Sequence, residues 1–205
     1  ARYDVSFEPL QGVSREFKTA GEKLVIFSGV RFLYKSFPDG NDGYSKGNDI
    51  IIGGLAKYYR RNKNIEIHFV EKGEDVGAAK KLCTELGLDP VIVWHKEMPF
   101  KKMIDLYIKS DICFDQVGKH WMGAIGAYAL YFGKPLIARV DNTIRLGIFP
   151  SDNPIYCVKT PEDIFLALIA LENANQRAVV SHDSKIFVEA CMSADKLLAN
   201  LFGEI

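Results

Sequence analysis

The chain has 205 residues, of which 48% are hydrophobic and 25% are charged, and it contains no apolar run long enough to cross a bilayer. Its 26 basic and 26 acidic residues cancel to a formal net charge of zero, so the positive field that draws proteins to nucleic acids is missing, and we predict no nucleic-acid partner. Its four cysteines are widely spaced without a CxxC pair, which favours buried thiols in a reducing, cytoplasmic compartment over a zinc site or a disulfide framework.

Short apolar runs rich in β-branched residues alternate along the chain with runs that carry apolar residues at helical spacing. The predicted strands are KLVIFSGV (23–30), IEIHFVEKG (65–73), PVIVWHK (90–96), DICFDQ (111–116), KPLIARV (134–140) and PIYCVKT (154–160). The predicted helices are GNDIIIGGLAKYYRR (47–61), EDVGAAKKLCTELGL (74–88), PFKKMIDLYIKS (99–110), GAIGAYALYF (123–132) and PEDIFLALIALEN (161–173).

This alternation predicts a doubly wound α/β fold, with a Rossmann-like parallel sheet of about six strands and helices on both faces. Several strands, such as LVIF, VIVW and PLIA, are apolar without a break, as strands buried on both faces are. Ligands of such sheets bind beyond the carboxyl ends of the strands, so we expect any site to lie in the loops that follow them.

The loop after the first strand is long and rich in cations and glycines. It holds Arg31, Lys35, Lys46 and four glycines before a helix that begins near Asn48. Because a helix start presents free N–H groups and positive potential, these residues indicate a phosphate site. The alternative is a long solvated loop with incidental basic residues. The loop has neither GxGxxG nor a Walker motif, which argues against a nicotinamide cofactor and a P-loop.

The stretch FDQVGKHWMGAIGAYALYFGKPLIA (114–138) supplies a second candidate loop. Asp115 and Gln116 end a strand, and Gly123 and Ala124 open the next helix with small side chains. Small residues at a helix start let a ligand approach the backbone N–H groups. The alternative reading is close packing of the helix on the sheet.

At these motifs the chain resembles the C-terminal, donor-binding domain of retaining GT-B glycosyltransferases, of the type called glycosyl transferases group 1. The resemblance is carried by GVR with KGNDIIIGGLA, AAKKLCTELGLDPVIVW, MIDLYIKSDICFDQ, GAIGAYALYFGKPLIA and TPEDIFLALIAL, in that order, over most of residues 24–172. It implies half of a GT-B fold that binds a nucleotide-diphosphate sugar as donor substrate and transfers a hexose-type sugar, without a cofactor or a metal.

The resemblance also implies roles for individual residues. Arg31 and Lys46 match the basic pair that holds the donor diphosphate and stabilises the departing nucleotide. His95 falls where the family lines its nucleobase pocket, although an ordinary strand-end histidine is the alternative. The other donor-binding positions implied are Gly29, Gly47, Asp115, Gly123 and Ala124.

Two positions depart from the family pattern, which has a glutamate at each. His120 stands at the first, near the donor sugar, and Tyr128 at the second, which commonly bonds the donor ribose. We therefore count His120 with the catalytic candidates and Tyr128 with the donor-binding ones. A phenol can form a hydrogen bond to a ribose hydroxyl, but it lacks the charge that holds two hydroxyls at once.

The resemblance predicts three segments: a linker remnant over residues 1–22, the Rossmann-like domain over 23–180 and closing helices over 181–205. The partner it implies is an N-terminal GT-B domain, in the same chain or in a separate one, without which we expect no turnover. Peripheral membrane contact stays open. We expect an apolar stripe to face that domain, formed by Phe187, Val188, Leu197, Leu198, Leu201 and Phe202.

Two other classes of function remain as alternatives. One is a degenerate, non-catalytic GT-B domain that binds a nucleotide or a protein, suggested by His120 and Tyr128. The other is a different doubly wound protein, such as a sugar-nucleotide epimerase or a plain Rossmann binding protein, which explains the fold but not the ordered motifs.

Overall fold

The structure is a computed structural model that describes residues 23–37, 40–119 and 121–192. Its strands are Leu24–Ser28 (β1), Ile65–Glu71 (β2), Ile92–Lys96 (β3), Ile112–Phe114 (β4), Leu136–Ala138 (β5) and Tyr156–Cys157 (β6). Its α-helices are Asn48–Arg61 (α1), Val76–Glu85 (α2), Phe100–Lys109 (α3), Ala124–Tyr131 (α4), Asp141–Arg145 (α5), Pro161–Ala170 (α6) and Ala174–Met192 (α7).

The strands form one parallel sheet in the order β3-β2-β1-β4-β5-β6, which confirms the predicted doubly wound fold. Ile26 in β1 pairs with Ile67 of β2 on one side and with Ile112 of β4 on the other. The strand order therefore reverses between β1 and β4. At such a switch point the two following loops diverge and leave a crevice for a ligand.

Each face of the sheet has its own apolar core, which explains the unbroken apolar strands. Ile26 points into the core under α1, α2 and α6, and its neighbour Phe27 points into the core under α3, α4 and α7. Both side chains are fully buried. Successive residues of a strand point to opposite faces of the sheet, so a strand covered on both sides has no solvent-exposed side chain.

Two local signals in the sequence fix the position of α6. Thr160 and Asp163 form a capping box at its start, with Pro161 as the first helical residue. The helix then crosses α1 at Gly54, where a Cβ atom would lie 2.4 Å from Cγ2 of Ile164. The glycine pair of α1 therefore serves helix packing at this crossing.

The structure corrects one prediction about α7. Phe187 and Val188 were expected in an exposed apolar stripe, but each is only 5% exposed and both pack in the core beneath α3, α4 and α7. The reason is that α7 packs on α4, so this face of the helix belongs to the domain itself. Leu197, Leu198, Leu201 and Phe202 lie outside the described residues.

Smaller differences concern a short helix, a helix start and the thiols. The short helix α5 was not predicted, and α7 begins at Ala174. Cys83 and Cys113 are buried as expected, whereas Cys157 is exposed because it lies on the edge strand β6. In the part of the chain that the structure describes, every helix is too short or too polar to span a bilayer.

Polar groups at the amino end of the sheet are held by hydrogen bonds within the domain. Lys134 of the GKP turn is 1% exposed, and its ammonium donates to the carbonyls of Ile108 at 2.8 Å and Ser110 at 2.9 Å. These carbonyls close α3, where a cation is favoured by the helix dipole. Asp111 accepts a 2.8 Å hydrogen bond from the backbone N–H of Val25 and ties β4 to β1. The GKP turn is therefore a structural feature, at the edge opposite the switch point.

Candidate functional site

The candidate site lies at the carboxyl ends of β1 and β4. It consists of the loop after β1 (residues 29–37 and 40–47) and the loop after β4 (residues 115–119 and 121–123), which we call the switch-point site. These are the two candidate loops of the sequence analysis, which did not link them. They lie side by side because β1 and β4 are neighbours in the sheet.

The two loops touch through their backbones. The carbonyl of Lys46 accepts hydrogen bonds from the N–H groups of Val117 at 3.0 Å and Gly118 at 3.2 Å. A Cβ atom on Gly118 would lie 1.6 Å from the carbonyl oxygen of Ser45, and one on Gly47 would lie 2.8 Å from the nitrogen of Gly118. Gly47 also has a φ of 68°, in the left-handed region. Both glycines are needed for this contact, which fixes Lys46 beside the loop after β4.

Arg31 and Lys46 provide the positive charge of the site. Arg31 is exposed and Lys46 is half-buried. Burial, followed by the nearby charge of Arg31, lowers the pKa of Lys46, while Asp115 partly offsets the effect. Neither side chain has a hydrogen bond or an ion pair with another described residue. The charges of the two cations therefore act on each other, and neither side chain is held by a described hydrogen bond or ion pair, as expected of groups that hold an anion.

Asp75, at the start of α2, shapes the loop after β1 and was missed by the sequence analysis. Its carboxylate accepts three successive backbone N–H groups, from Tyr34 at 2.6 Å, Lys35 at 2.7 Å and Ser36 at 3.1 Å, and the hydroxyl of Ser36. Burial acts to raise the pKa of Asp75, but these hydrogen bonds outweigh it and hold the pKa below its usual range. These N–H groups are consequently occupied and do not face a ligand. Nothing in the sequence pattern links Asp75 to a loop 40 residues earlier.

Asp115 lies under the first turn of α4. It is 3% exposed, and its carboxylate accepts hydrogen bonds from the backbone N–H groups of Gly123, Gly126 and Gln116. A Cβ atom on Gly126 would lie 2.7 Å from that carboxylate, so the glycine makes room for it. Burial raises the pKa of Asp115 to about 6, although the hydrogen bonds and Lys46 act to lower it.

This contact changes the expected roles of two predicted residues. The N–H group of Gly123 was expected to bind a phosphate, but it donates to Asp115 in this structure. Asp115 itself faces the helix rather than an open surface. Ala124, the first residue of α4, is exposed at the same helix start.

Gly29 and Tyr128 lie among apolar side chains near the start of α3. A Cβ atom on Gly29 would lie 3.2 Å from Ile125 and 3.3 Å from Met103, so the glycine permits close packing of α3 and α4 on β1. Tyr128 is half-buried in α4, with its ring centroid 4.1 Å from that of Phe100. The sequence analysis did not identify Phe100, whose ring is 37% exposed.

His95 lies inside β3, two strands away from β1. Its Nε2 is 2.8 Å from Nδ1 of His68, and Nε2 of His68 is 2.8 Å from the carboxylate of Glu66. Burial, and then the neighbouring His68, lower the pKa of His95. The structure therefore places His95 in a polar cluster on the sheet, with His68 and Glu66. His120 lies outside the described residues.

Within those residues, no group of three or more histidine, cysteine or carboxylate side chains is arranged to hold a metal ion. What the switch-point site offers is two cations, a helix start and a buried carboxylate. The two cations and the helix start suit a ligand that carries negative charge on an extended group such as a diphosphate, and the carboxylate lies beside them.

Comparison with solved structures identifies the fold. TarM of S. aureus, solved in a complex with UDP, superposes with a TM-score of 0.73 at 12% sequence identity, over 96% of this chain and 38% of TarM. The C-terminal domain of the glycosyl transferase group 1 family protein LpcC from Francisella tularensis gives 0.66 at 16% identity, over 84% of this chain and 88% of that domain. Anabaena HepE, in a complex with UDP and glucose, gives 0.67 at 15% identity, over 90% of this chain and 49% of HepE.

These similarities confirm that the chain has the Rossmann-like fold of one half of a GT-B glycosyltransferase. The chain spans less than half the length of TarM and HepE. No protein-family model matches the sequence, and no curated protein matches it either.

Proposed function

We propose that this chain is the donor-binding half of a nucleotide-sugar-dependent glycosyltransferase. The donor is a nucleotide-diphosphate sugar that binds at the switch-point site, and the transferred group is a hexose-type sugar. The observation that carries the proposal is the pair Arg31 and Lys46, whose charges act on each other and which have no hydrogen bond or ion pair to the rest of the described chain.

The charge of this pair fits the step in which a sugar leaves its nucleotide. Cleavage of the bond between the sugar and the diphosphate concentrates negative charge on the departing phosphate. Fixed cations beside that phosphate stabilise the transition state more than the ground state, which is how electrostatic catalysis acts. A bound diphosphate would also raise the pKa of Lys46, because its negative charge counteracts the effect of burial.

The finer features of the proposal rest on the family resemblance. The reaction is retaining, and it needs no metal because Arg31 and Lys46 supply the charge that a divalent cation supplies in other transferases. The acceptor binds an N-terminal GT-B domain, in the same or a separate chain. The share of TarM and HepE that this chain spans is consistent with such a second half.

The test is a calorimetric titration of the 205-residue chain with UDP, GDP and their sugar conjugates. We expect one nucleotide series to bind. Arg31→Ala and Lys46→Ala should each weaken binding at least tenfold, since each removes a charge-assisted contact to a phosphate.

Lys109→Ala is the matched control. Lys109 is an exposed cation at the far end of α3, so its loss changes the net charge equally without touching the switch-point site. Equal losses in all three variants would indicate a non-specific charge effect. Absence of binding by the folded chain, or binding that survives both Arg31→Ala and Lys46→Ala, would refute the proposed site.

A further inference from the structure

Asp115 holds a negative charge at the place where the proposed donor needs a positive one. Its buried carboxylate already accepts the N–H groups of Gly123 and Gly126 at the start of α4, and its charge interacts with that of Lys46. A diphosphate bound by Lys46 would use the same positive potential. Two anions would then compete for one cation and one helix start.

We propose that binding of the donor diphosphate is coupled to uptake of one proton by Asp115. This inference rests on the proposed function and concerns the regulation of the same site. The proton comes from solvent and converts the carboxylate into a neutral carboxyl, which still accepts a backbone N–H group through its carbonyl oxygen. The donor phosphates then replace Asp115 as the anion that faces Lys46.

The groups around Asp115 leave few other ways to accommodate a second anion. The charge of Lys46 acts on it from the loop before α1, and the charge of Arg31 acts on Lys46. Tyr107 faces it from α3, and burial, chiefly, keeps the pKa of that phenol well above its usual range, so it stays neutral. The start of α4 presents the backbone N–H groups of Gly123 and Gly126. A buried carboxylate loses the stabilisation that its facing cation supplies when a ligand takes that cation, and its backbone hydrogen bonds alone then oppose the effect of burial.

The pH range in which a proton is taken up begins at the pKa of Asp115 in the protein without donor. Burial already raises the pKa of Asp115 to about 6, so the carboxyl is neutral below pH 6 and ionised above it. The charge of a bound diphosphate raises the pKa further. Donor binding therefore takes up a proton between pH 6 and the higher pKa of the complex. Affinity should be greatest below pH 6 and should fall by up to about tenfold per pH unit above it.

The experiment is calorimetric titration of the chain with UDP-glucose and GDP-mannose between pH 5.5 and 8, in pairs of buffers that differ in ionisation enthalpy. Nucleotide sugars are used because their diphosphate is a diester without an ionisation in this range, whereas the terminal phosphate of UDP titrates near pH 6. We expect uptake of up to one proton near pH 7 and a dissociation constant that rises at least about tenfold from pH 6 to pH 8.

Asp115→Asn should abolish the proton uptake and flatten the pH dependence. Asp111→Asn is the matched control, because Asp111 is a buried carboxylate at the other end of β4 that also accepts a backbone N–H group. It should leave the uptake unchanged. If Asp115→Asn does not fold, difference infrared spectra of the wild type with and without donor should show a new carboxylic-acid band on binding.

The outcomes separate the two proposals. Donor binding without proton uptake, or uptake that survives Asp115→Asn and is due to another group such as His95, overturns the coupling but leaves the proposed function standing. Absence of donor binding at every pH overturns the proposed function, and the coupling with it. Uptake that disappears only in Asp115→Asn supports both.

Discussion

The two ends of the parallel sheet use the same residue types for different purposes. At the amino end, Lys134 is buried and bonded to two carbonyls, and Asp111 ties β4 to β1. At the carboxyl end, Lys46 is half-buried without a described hydrogen bond, and Asp115 is buried with its pKa raised to about 6. A buried lysine or aspartate whose hydrogen-bonding groups are all paired within the domain is therefore structural, whereas one that keeps an unpaired charge is available to a ligand.

The largest effect should come from breaking the backbone contact that builds the carboxyl end. In Gly118→Ala the new Cβ would overlap the carbonyl oxygen of Ser45, so one of the two loops must move. We expect the free energy of unfolding to fall by more than about 3 kcal/mol and donor binding to be lost. Urea denaturation measures the first and calorimetry the second.

Gly77→Ala is the control for this change. A Cβ on Gly77 meets no atom within 4 Å, and Gly77 is exposed in the first turn of α2. This substitution should stabilise the chain by about 0.5–1 kcal/mol, because alanine is the better helix former. If Gly118→Ala were as stable as the wild type, the close approach of the two loops would be wrong.

Replacing each of the two lysines by methionine tests the contrast between the ends directly. Lys134→Met leaves the carbonyls of Ile108 and Ser110 without their buried donor and should cost about 2–3 kcal/mol of unfolding free energy, with donor affinity unchanged. Lys46→Met should change stability by less than about 1 kcal/mol, because no described hydrogen bond is lost, but should weaken donor binding at least tenfold. Similar losses of stability in both variants would contradict the assignment of Lys134 as a structural lysine and Lys46 as a ligand-binding one.

Asp115 should give the carboxyl end its own pH dependence of stability. Its pKa of about 6 in the folded chain lies above the unfolded value of about 3.9, so the folded state binds more protons between these values. Stability from this group is fully present below pH 4 and is lost as the pH rises through 6. Lowering the pH from 7 to 5 should therefore stabilise the wild type relative to Asp115→Asn by about 1 kcal/mol.

Urea titrations of the two proteins at both pH values give this difference. The same comparison with Asp111→Asn is the reference, because it samples a buried carboxylate of β4 at the other end of the sheet. A difference of the opposite sign for Asp115→Asn would mean that its carboxylate is stabilised, and not strained, by its surroundings.

The smallest effect is expected at Tyr128, where the family pattern has a glutamate. Tyr128→Phe keeps the ring contact with Phe100, so the free energy of unfolding should change by less than about 0.5 kcal/mol. If the phenol bonds a donor hydroxyl, its removal should weaken donor binding about three- to fivefold, as the loss of one neutral hydrogen bond does. Unchanged affinity would show that Tyr128 serves packing alone.

Much of the fold was predictable because its signals are local. Within the described residues, apolar runs of four to eight residues, helical spacing of apolar residues and turn-forming glycines and prolines identified the six strands and five of the seven α-helices. The short helix α5 escaped because five residues carry no periodic pattern. Phe187 and Val188 were placed in the wrong environment because an apolar stripe does not reveal whether its own domain covers it.

The candidate site was only partly predictable, because its assembly depends on contacts between distant segments. The sequence was enough to place Arg31 and Lys46 after the first strand, and Asp115 and Gly123 around the start of a helix. The folded chain was needed to show that β1 and β4 are neighbours, that Asp75 accepts the N–H groups of the first loop and that Asp115 accepts those at the start of α4. Hydrogen bonds and burial decide whether a polar group is free for a ligand, and at this site they arise only when segments far apart in the chain meet.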